Sequence, residues 1–306
     1  MSHRDRAFLH EQYRIGFILV LPWVITVVIF WLYPIISAFQ LSLSEYSTLT
    51  GEQRWVGLAN FRALADDPLF WKALSNTAIF TLGTVPTTTV LAIALALLLD
   101  RVASGRVGSF LRAIYFLPTV TSLVVVALVF SNLYARDGYL NWLFAWIGLP
   151  FPERGWLLEP STALPAIMAM DVWMATGYYM VIVLAGLQTI PRQLYEAAAM
   201  SGANAWQQLW WITLPLLRPT LTFIIVMNTI KSFQVFVEVY VMTRGGPLEG
   251  TTTTLVYELY RNAFERSDGM GYAAAIAVVV VILIAGASWL QVRVLRQGRR
   301  TMHLSA

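Results

Sequence analysis

Three ionisable side chains stand inside stretches that are otherwise almost free of charge. Asp171 interrupts the run Pro160–Ile190, and Lys231 and Glu238 interrupt the run Leu216–Thr243. In apolar surroundings an acid and an amine can pair, relay protons, or offer charged donors and acceptors to a polar ligand. The neighbours of Lys231 extend the last option. Asn228, Lys231, Gln234 and Glu238 are spaced three, three and four, which on one helix puts all four on one face, with Ser232 near its edge. Such groups hydrogen-bond hydroxyls, and Phe233 and Tyr178 supply rings on which a sugar face can stack. The other reading is an ion pair that no ligand touches. At 1.5 Å per residue, Lys231 lies about 22 Å up its helix from Leu216, and Asp171 roughly 24 Å above the inner end of its own run. The two heights allow them to meet, and the two roles are compatible at different stages of a cycle.

The elements that must hold these residues are membrane helices. The chain has 306 residues, 58% hydrophobic and 12% charged, where a soluble domain carries about 25% charged residues. A spanning helix needs about 20 mostly apolar residues, and six runs qualify: Phe17–Ile36, Ala73–Leu99, Ala113–Ala135, Pro160–Ile190, Leu216–Thr243 and Gly269–Val292. Tyr139–Phe151 is apolar but too short to span and reads as an interfacial helix. The first run is longer than a signal-peptide core and lacks a cleavage site after it, so it reads as a first transmembrane helix, about residues 15–38. Prolines recur within the runs, at Pro22, Pro34, Pro86, Pro118, Pro165 and Pro219. Each removes a backbone donor and bends its helix. The expected fold class is an all-α membrane protein of six transmembrane helices, a single transmembrane domain over 1–306 with its core about 73–292.

Positive charge sets the orientation. With the N-terminus inside, the inner segments hold Arg4, Arg6, Arg14, Arg101, Arg106, Arg112, Arg192, Arg218, Arg293, Arg296, Arg299 and Arg300 against Asp5, Glu11, Asp100 and Glu196. The outer loops hold eight basic residues against eleven acids. Both termini are therefore expected in the cytoplasm. The net charge of +4 includes no basic block of the kind that binds nucleic acid. With no cysteine the chain offers no disulfide or thiolate metal site, and with its three histidines at His3, His10 and His303 no buried histidine-based metal or catalytic site is expected. A membrane-embedded enzyme would need titratable groups gathered at the membrane surface. An ion-coupled carrier could rest on Asp171 and Glu238 alone.

One inner segment, Leu194–Pro215, is too polar to span and too apolar for an ordinary loop. Leu194–Met200 is alanine-rich and reads as a short helix. Gly202 interrupts it, and Asn204 can cap a second short helix reaching about Thr213, after which Pro215 opens the next span. Trp206 and Trp210 share a face beside Trp211, as interfacial anchors do. Glu196-Ala197-Ala198, Gly202, Ile212 and Leu214-Pro215 resemble the EAA loop of ABC importer permeases, with Ala203 following the glycine and Ser201 where that family usually has aspartate. The likeness covers nearly the whole chain and is strongest to the carbohydrate branch, the maltose and glycerol-phosphate type with a MetI-like transmembrane domain. Val56-Gly57-Leu58, Asn60-Phe61, Phe70-Trp71 and Asn76-Thr77 resemble its first outer loop. Trp173, Gly177, Leu184 to Gln188 and Ile190-Pro191 resemble the span before the EAA loop. Thr243, Gly245-Gly246-Pro247, Ala263-Phe264 and Gly271-Tyr272-Ala273 resemble its last outer loop.

The resemblance implies a permease of the bacterial cytoplasmic (inner) membrane. It would work with a second homologous permease, two ATPase subunits and an extracytoplasmic sugar-binding protein. The EAA loop would be the ATPase contact, and the fourth and fifth spans would carry the sugar contacts. The chain itself would be no enzyme and hold no cofactor, with ATP and Mg bound by the partner ATPase. The lysine content agrees, because a phosphate-binding Gly-Lys pair is absent: Lys72 follows Trp71 and Lys231 follows Ile230. Gly269-x-Gly271 with Ala274 opens a membrane helix instead of following a strand, and so is not a nucleotide loop. A same-fold permease for a glycerol phosphodiester, peptide, phosphate or amino acid is the alternative. Lys231 would suit an anionic cargo.

Overall fold

A computed structural model describes residues 16–47, 50–102, 105–248 and 250–297. The three histidines and the terminal charges Arg4, Asp5, Arg6, Glu11, Arg14, Arg299 and Arg300 lie outside the described residues. The elements in chain order are α1 (Gly16–Ser42), β1 (Ser44–Tyr46), β2 (Gln53–Trp55), α2 (Ala59–Asp66), α3 (Pro68–Val102), α4 (Gly105–Val120), α5 (Leu123–Leu133), α6 (Tyr139–Trp146), α7 (Ala163–Gln188), α8 (Arg192–Met200), α9 (Ala205–Phe233), α10 (Val237–Met242), α11 (Leu255–Tyr260) and α12 (Met270–Gln297). Among the described residues, α1, α3, α7, α9 and α12 are long and apolar enough to cross a membrane, and α4 with α5 makes a sixth span bent by 96°.

The chain gathers into two units. One comprises Met1–Leu64 with Arg261–Val278. In its described part, β1 and β2 pair antiparallel, Glu45 opposite Arg54. Asn60 donates from Nδ2 to the Ser42 carbonyl at 2.9 Å and the Ser44 carbonyl at 3.0 Å, tying α2 to the end of α1 and the start of the hairpin. Helix α1 buries none of its most apolar window against the chain. This short hairpin is the one departure from an all-helical chain that the periodicity does not signal.

The other unit comprises Ala65–Tyr260 with Val279–Ala306. Its core lies where α3, α7 and α9 meet. Ala92, Ala96 and Leu99 of α3 pack on Ala175, Met180, Val183 and Leu187 of α7 and on Leu217 and Ile224 of α9. Alanines one turn apart let α3 approach closely, as membrane helices require when apolar burial alone does not drive association. Gly177 serves the same end, since a Cβ there would collide with the Tyr115 carbonyl of α4. The threonines of α3 are absorbed locally. Thr77, Thr81, Thr84 and Thr89 each donate to the carbonyl four residues earlier, at 2.7–2.9 Å.

Two spans depart from the expected continuous helices. The third breaks between Val120 and Leu123, just past Pro118. The fifth ends at Phe233 and resumes at Val237. Backbone freed inside a membrane must find partners within the protein; here Thr254 Oγ1 donates to the Val235 carbonyl at 2.9 Å, and Glu238 is buried close to the backbone N–H groups of the break.

Candidate functional site

Helix α8 begins at Arg192 after Pro191 and buries no residue. Glu196 and Ala197 are exposed and Ala198 half-buried. A nine-residue helix with no fully buried residue gains little from packing within its own chain, where Tyr195 alone is packed against the core, so its geometry rests largely on its ends. The Gly202 N–H bonds the Ala199 carbonyl at 3.0 Å, and the Ala203 N–H the Ala198 carbonyl at 2.9 Å. This is the paired C-terminal motif that needs a left-handed residue, and Gly202 supplies it with φ of 83°. Asn204 then starts the next helix. Its side chain accepts from the Gln207 N–H at 2.9 Å, and the Gln207 side chain accepts from the Asn204 N–H at 2.8 Å, a reciprocal cap. The expected helix–glycine–cap–helix order is present.

The second helix differs from expectation. It does not stop near Thr213 but continues as α9 through a π-helical turn, Leu209–Thr213. The Leu214 N–H reaches five residues back, to the Leu209 carbonyl, so the extra residue is taken up directly before Pro215, which has no N–H to give. Tyr195 clamps α8 to this turn, its hydroxyl 2.9 Å from Thr213 Oγ1. Nothing in the spacing of Tyr195 and Thr213 signals that clamp. A concavity of about 380 Å³ at the elbow is lined by Ala198, Gly202, Ala203, Trp211 and Ile212, among others. Leu214 and Pro215 lie half-buried at the root of the span. Trp206, Trp210 and Trp211 stay exposed, the first two stacked edge to face at 5.7 Å.

In the membrane, Lys231 Nζ stands 2.6 Å from Asp171 Oδ1, joining α9 to α7. The heights read from helix rise therefore do bring the two together. Asp171 is buried, with its side chain 2% exposed, whereas that of Lys231 is 42% exposed. Asp171 Oδ2 has no protein partner. The four-residue polar stripe does not survive as one face. Asn228 and Ser232 point into the protein, with Ser232 Oγ 3.1 Å from Thr84 Oγ1 of α3. Asn228 is fully buried, and its amide makes no hydrogen bond to protein. Gln234 caps the end of α9 and is exposed, Phe233 is half-buried, and Tyr178 is 46% exposed. Glu238 lies beyond the break, buried beside the backbone there. Lys231, Gln234 and Tyr178 are thus the exposed members, and Asn228, Ser232, Glu238 and Asp171 the buried ones.

The residues expected in the outer loops have structural work. Asn76 Nδ2 donates to the carbonyls of Gly250 at 2.8 Å and Thr253 at 2.9 Å, and Thr77 Oγ1 accepts from the Leu255 N–H at 3.0 Å. Thr243 and Thr252 hydroxyls meet at 2.7 Å. Together they fasten the loop after α10 onto α3. Among the described residues no cluster of metal-ligating side chains occurs.

Comparison with known proteins fits this arrangement. Residues 88–299 match the family described as binding-protein-dependent transport system inner membrane component. The chain is 35% identical over 294 residues to the lactose transport system permease protein of Rhizobium radiobacter, covering 95% of this chain and 97% of that one. It is 33% identical over 276 residues to the trehalose/maltose transport system permease protein of Thermococcus litoralis, covering 90% and 92%. A solved bacterial ABC transporter that imports the acidic polysaccharide alginate superposes with a TM-score of 0.79 at 26% identity, covering 95% of this chain and 99% of that one. Its apolar spans and these relatives make the protein a multi-pass inner-membrane protein. The match runs through the α8–α9 elbow and the paired charges alike, and the chain belongs to the binding-protein-dependent transport system inner membrane components, the permease subunits of ABC transporters.

Proposed function

We propose that this subunit carries a sugar, an oligosaccharide or related polyol, and that α8 with its elbow is the surface through which a separate ATPase drives it. The observation that carries the coupling role is a helix with no buried residue, closed at its C-terminal end by the Gly202 turn and clamped by Tyr195 to the base of α9. A rigid, unburied helix can transmit a push only to a partner that grips it. Glu196, Ala197, Ala198, Gly202 and Ala203 would meet that partner, while Ile212, Leu214 and Pro215 join the elbow to the span. The sugar assignment is supported by the lactose and trehalose/maltose permeases among the relatives. In the full assembly a second homologous permease, two ATPase subunits and an extracytoplasmic binding protein would accompany this chain. ATP and Mg would bind the ATPases.

Uptake of a labelled sugar by cells carrying the complete transporter tests this. Glu196→Lys and Gly202→Asp should each abolish uptake and strip the ATPase from the purified complex, with membrane amounts unchanged. Normal uptake in both variants would remove the coupling role.

A further inference from the structure

We infer that Asp171 sets the charge selectivity of the sugar path, making Lys231 a donor for neutral hydroxyls and closing the path to carboxylate-bearing sugars. The inference rests on the sugar-permease reading above. Its basis is the asymmetry of the pair. The Lys231 side chain is 42% exposed and Asp171 only 2%, with Oδ1 of Asp171 holding Nζ at 2.6 Å. An ammonium has three N–H donors, so the exposed side of Lys231 keeps donors for a ligand while the buried side stays paired. The other oxygen of Asp171 has no protein partner. Pulling the ammonium away would strand a buried carboxylate, the costly way to break such a pair.

A uronate approaching Lys231 must compete with Asp171 for an ammonium whose charge is already paired, whereas a neutral hydroxyl accepts from its open side without displacing the pair. Gln234 and Tyr178, both exposed, offer an amide and a phenol hydroxyl as further hydrogen-bonding groups. The solved alginate importer, whose cargo is an acidic polysaccharide, is only 26% identical and so leaves the charge of this cargo open.

The test is saturation-transfer NMR on the intact permease–ATPase complex in nanodiscs, without the binding protein, whose own preference would otherwise dominate. Lactose and maltotriose serve as neutral probes and trigalacturonate as the anionic one. Wild type should favour the neutral probes at least tenfold. Asp171→Asn, which leaves the ammonium unpaired, should bring the ratio to unity or invert it. Asp171→Asn combined with Lys231→Met removes the donor along with the pair, so it should weaken neutral binding and cancel any gain in trigalacturonate binding, while retention of the ATPase in the purified complex separates selectivity from misfolding. Equal wild-type binding of both classes, or an unchanged ratio in Asp171→Asn, overturns the charge filter alone. Absence of binding for every probe overturns the sugar reading and the filter with it.

Discussion

Glu238 shows how a residue's job depends on the backbone beneath it. On a continuous helix it would extend the face of Asn228 and Lys231. In the folded chain it is buried beside a break, close to the backbone N–H groups of Phe236 and Glu238. Leaving a buried donor unpaired costs roughly 1–3 kcal/mol. Glu238→Ala should therefore lower the thermal midpoint of the purified complex clearly, while Glu238→Gln, which keeps an oxygen acceptor, should cost less than half as much. A melting series of the two variants checks the order. Asn228 makes the opposite case. It is fully buried and its amide bonds no protein group, so Asn228→Leu, of similar volume, should hold or raise the midpoint. A large drop would show that the amide carries structural weight. The Asp171–Lys231 pair was legible in advance because helix rise fixes height whatever the rotation. The role of Glu238 was not, because no glycine or proline among Gln234, Val235 and Phe236 marks the break. Its causes are tertiary, chiefly Thr254 Oγ1 on the Val235 carbonyl.

Proline placement explains much at the level of elements. Two π-helical turns, Val28–Leu32 and Leu209–Thr213, each end two residues before a proline, Pro34 and Pro215. In both, the residue before the proline donates five positions back: Tyr33 to Val28 and Leu214 to Leu209. The wider turn spares the proline ring a clash with the preceding turn without breaking the helix. Apolar composition marked where the spans run, and the glycine and asparagine marked the elbow, because local backbone preferences decide those features. Composition could not mark that α9 runs on unbroken from the elbow, since a π turn has no residue signature of its own. Pro215→Ala should let that turn relax to α-helix, rotating Ala205–Gln208 by about 100° relative to the span. Sugar uptake should then fall at least tenfold with the chain still inserted, and the pattern of maleimide labelling at single cysteines placed across residues 205–208 should shift by one position. Unchanged uptake would mean the turn is a passive adjustment to proline.

For the whole molecule the decisive question is which side of the membrane α8 occupies. One compact unit joins Met1–Leu64 to Arg261–Val278. No linker composition could announce it, because its parts are distant in sequence and meet only on folding. Orientation, by contrast, is written in charge. Arginines crowd the segments at the ends of the spans that would face inward, and acids outnumber basic residues in the loops that would face outward. Because the chain has no cysteine, each introduced one is a unique reporter. Ala197 on α8 and Arg154 in the loop between α6 and α7 are both exposed, so neither position is shielded by its own chain. A membrane-impermeant maleimide applied to intact spheroplasts should label Arg154→Cys at once and Ala197→Cys only after lysis. The positive-inside bias demands that result, and so does the proposed partner, since an ATPase fed from the cytoplasmic nucleotide pool can grip only a helix on that side. Labelling of Ala197→Cys from outside would therefore overturn the orientation and the coupling mechanism together. The Asp171–Lys231 pair, whose geometry lies between two spans and not at either surface, would stand untouched.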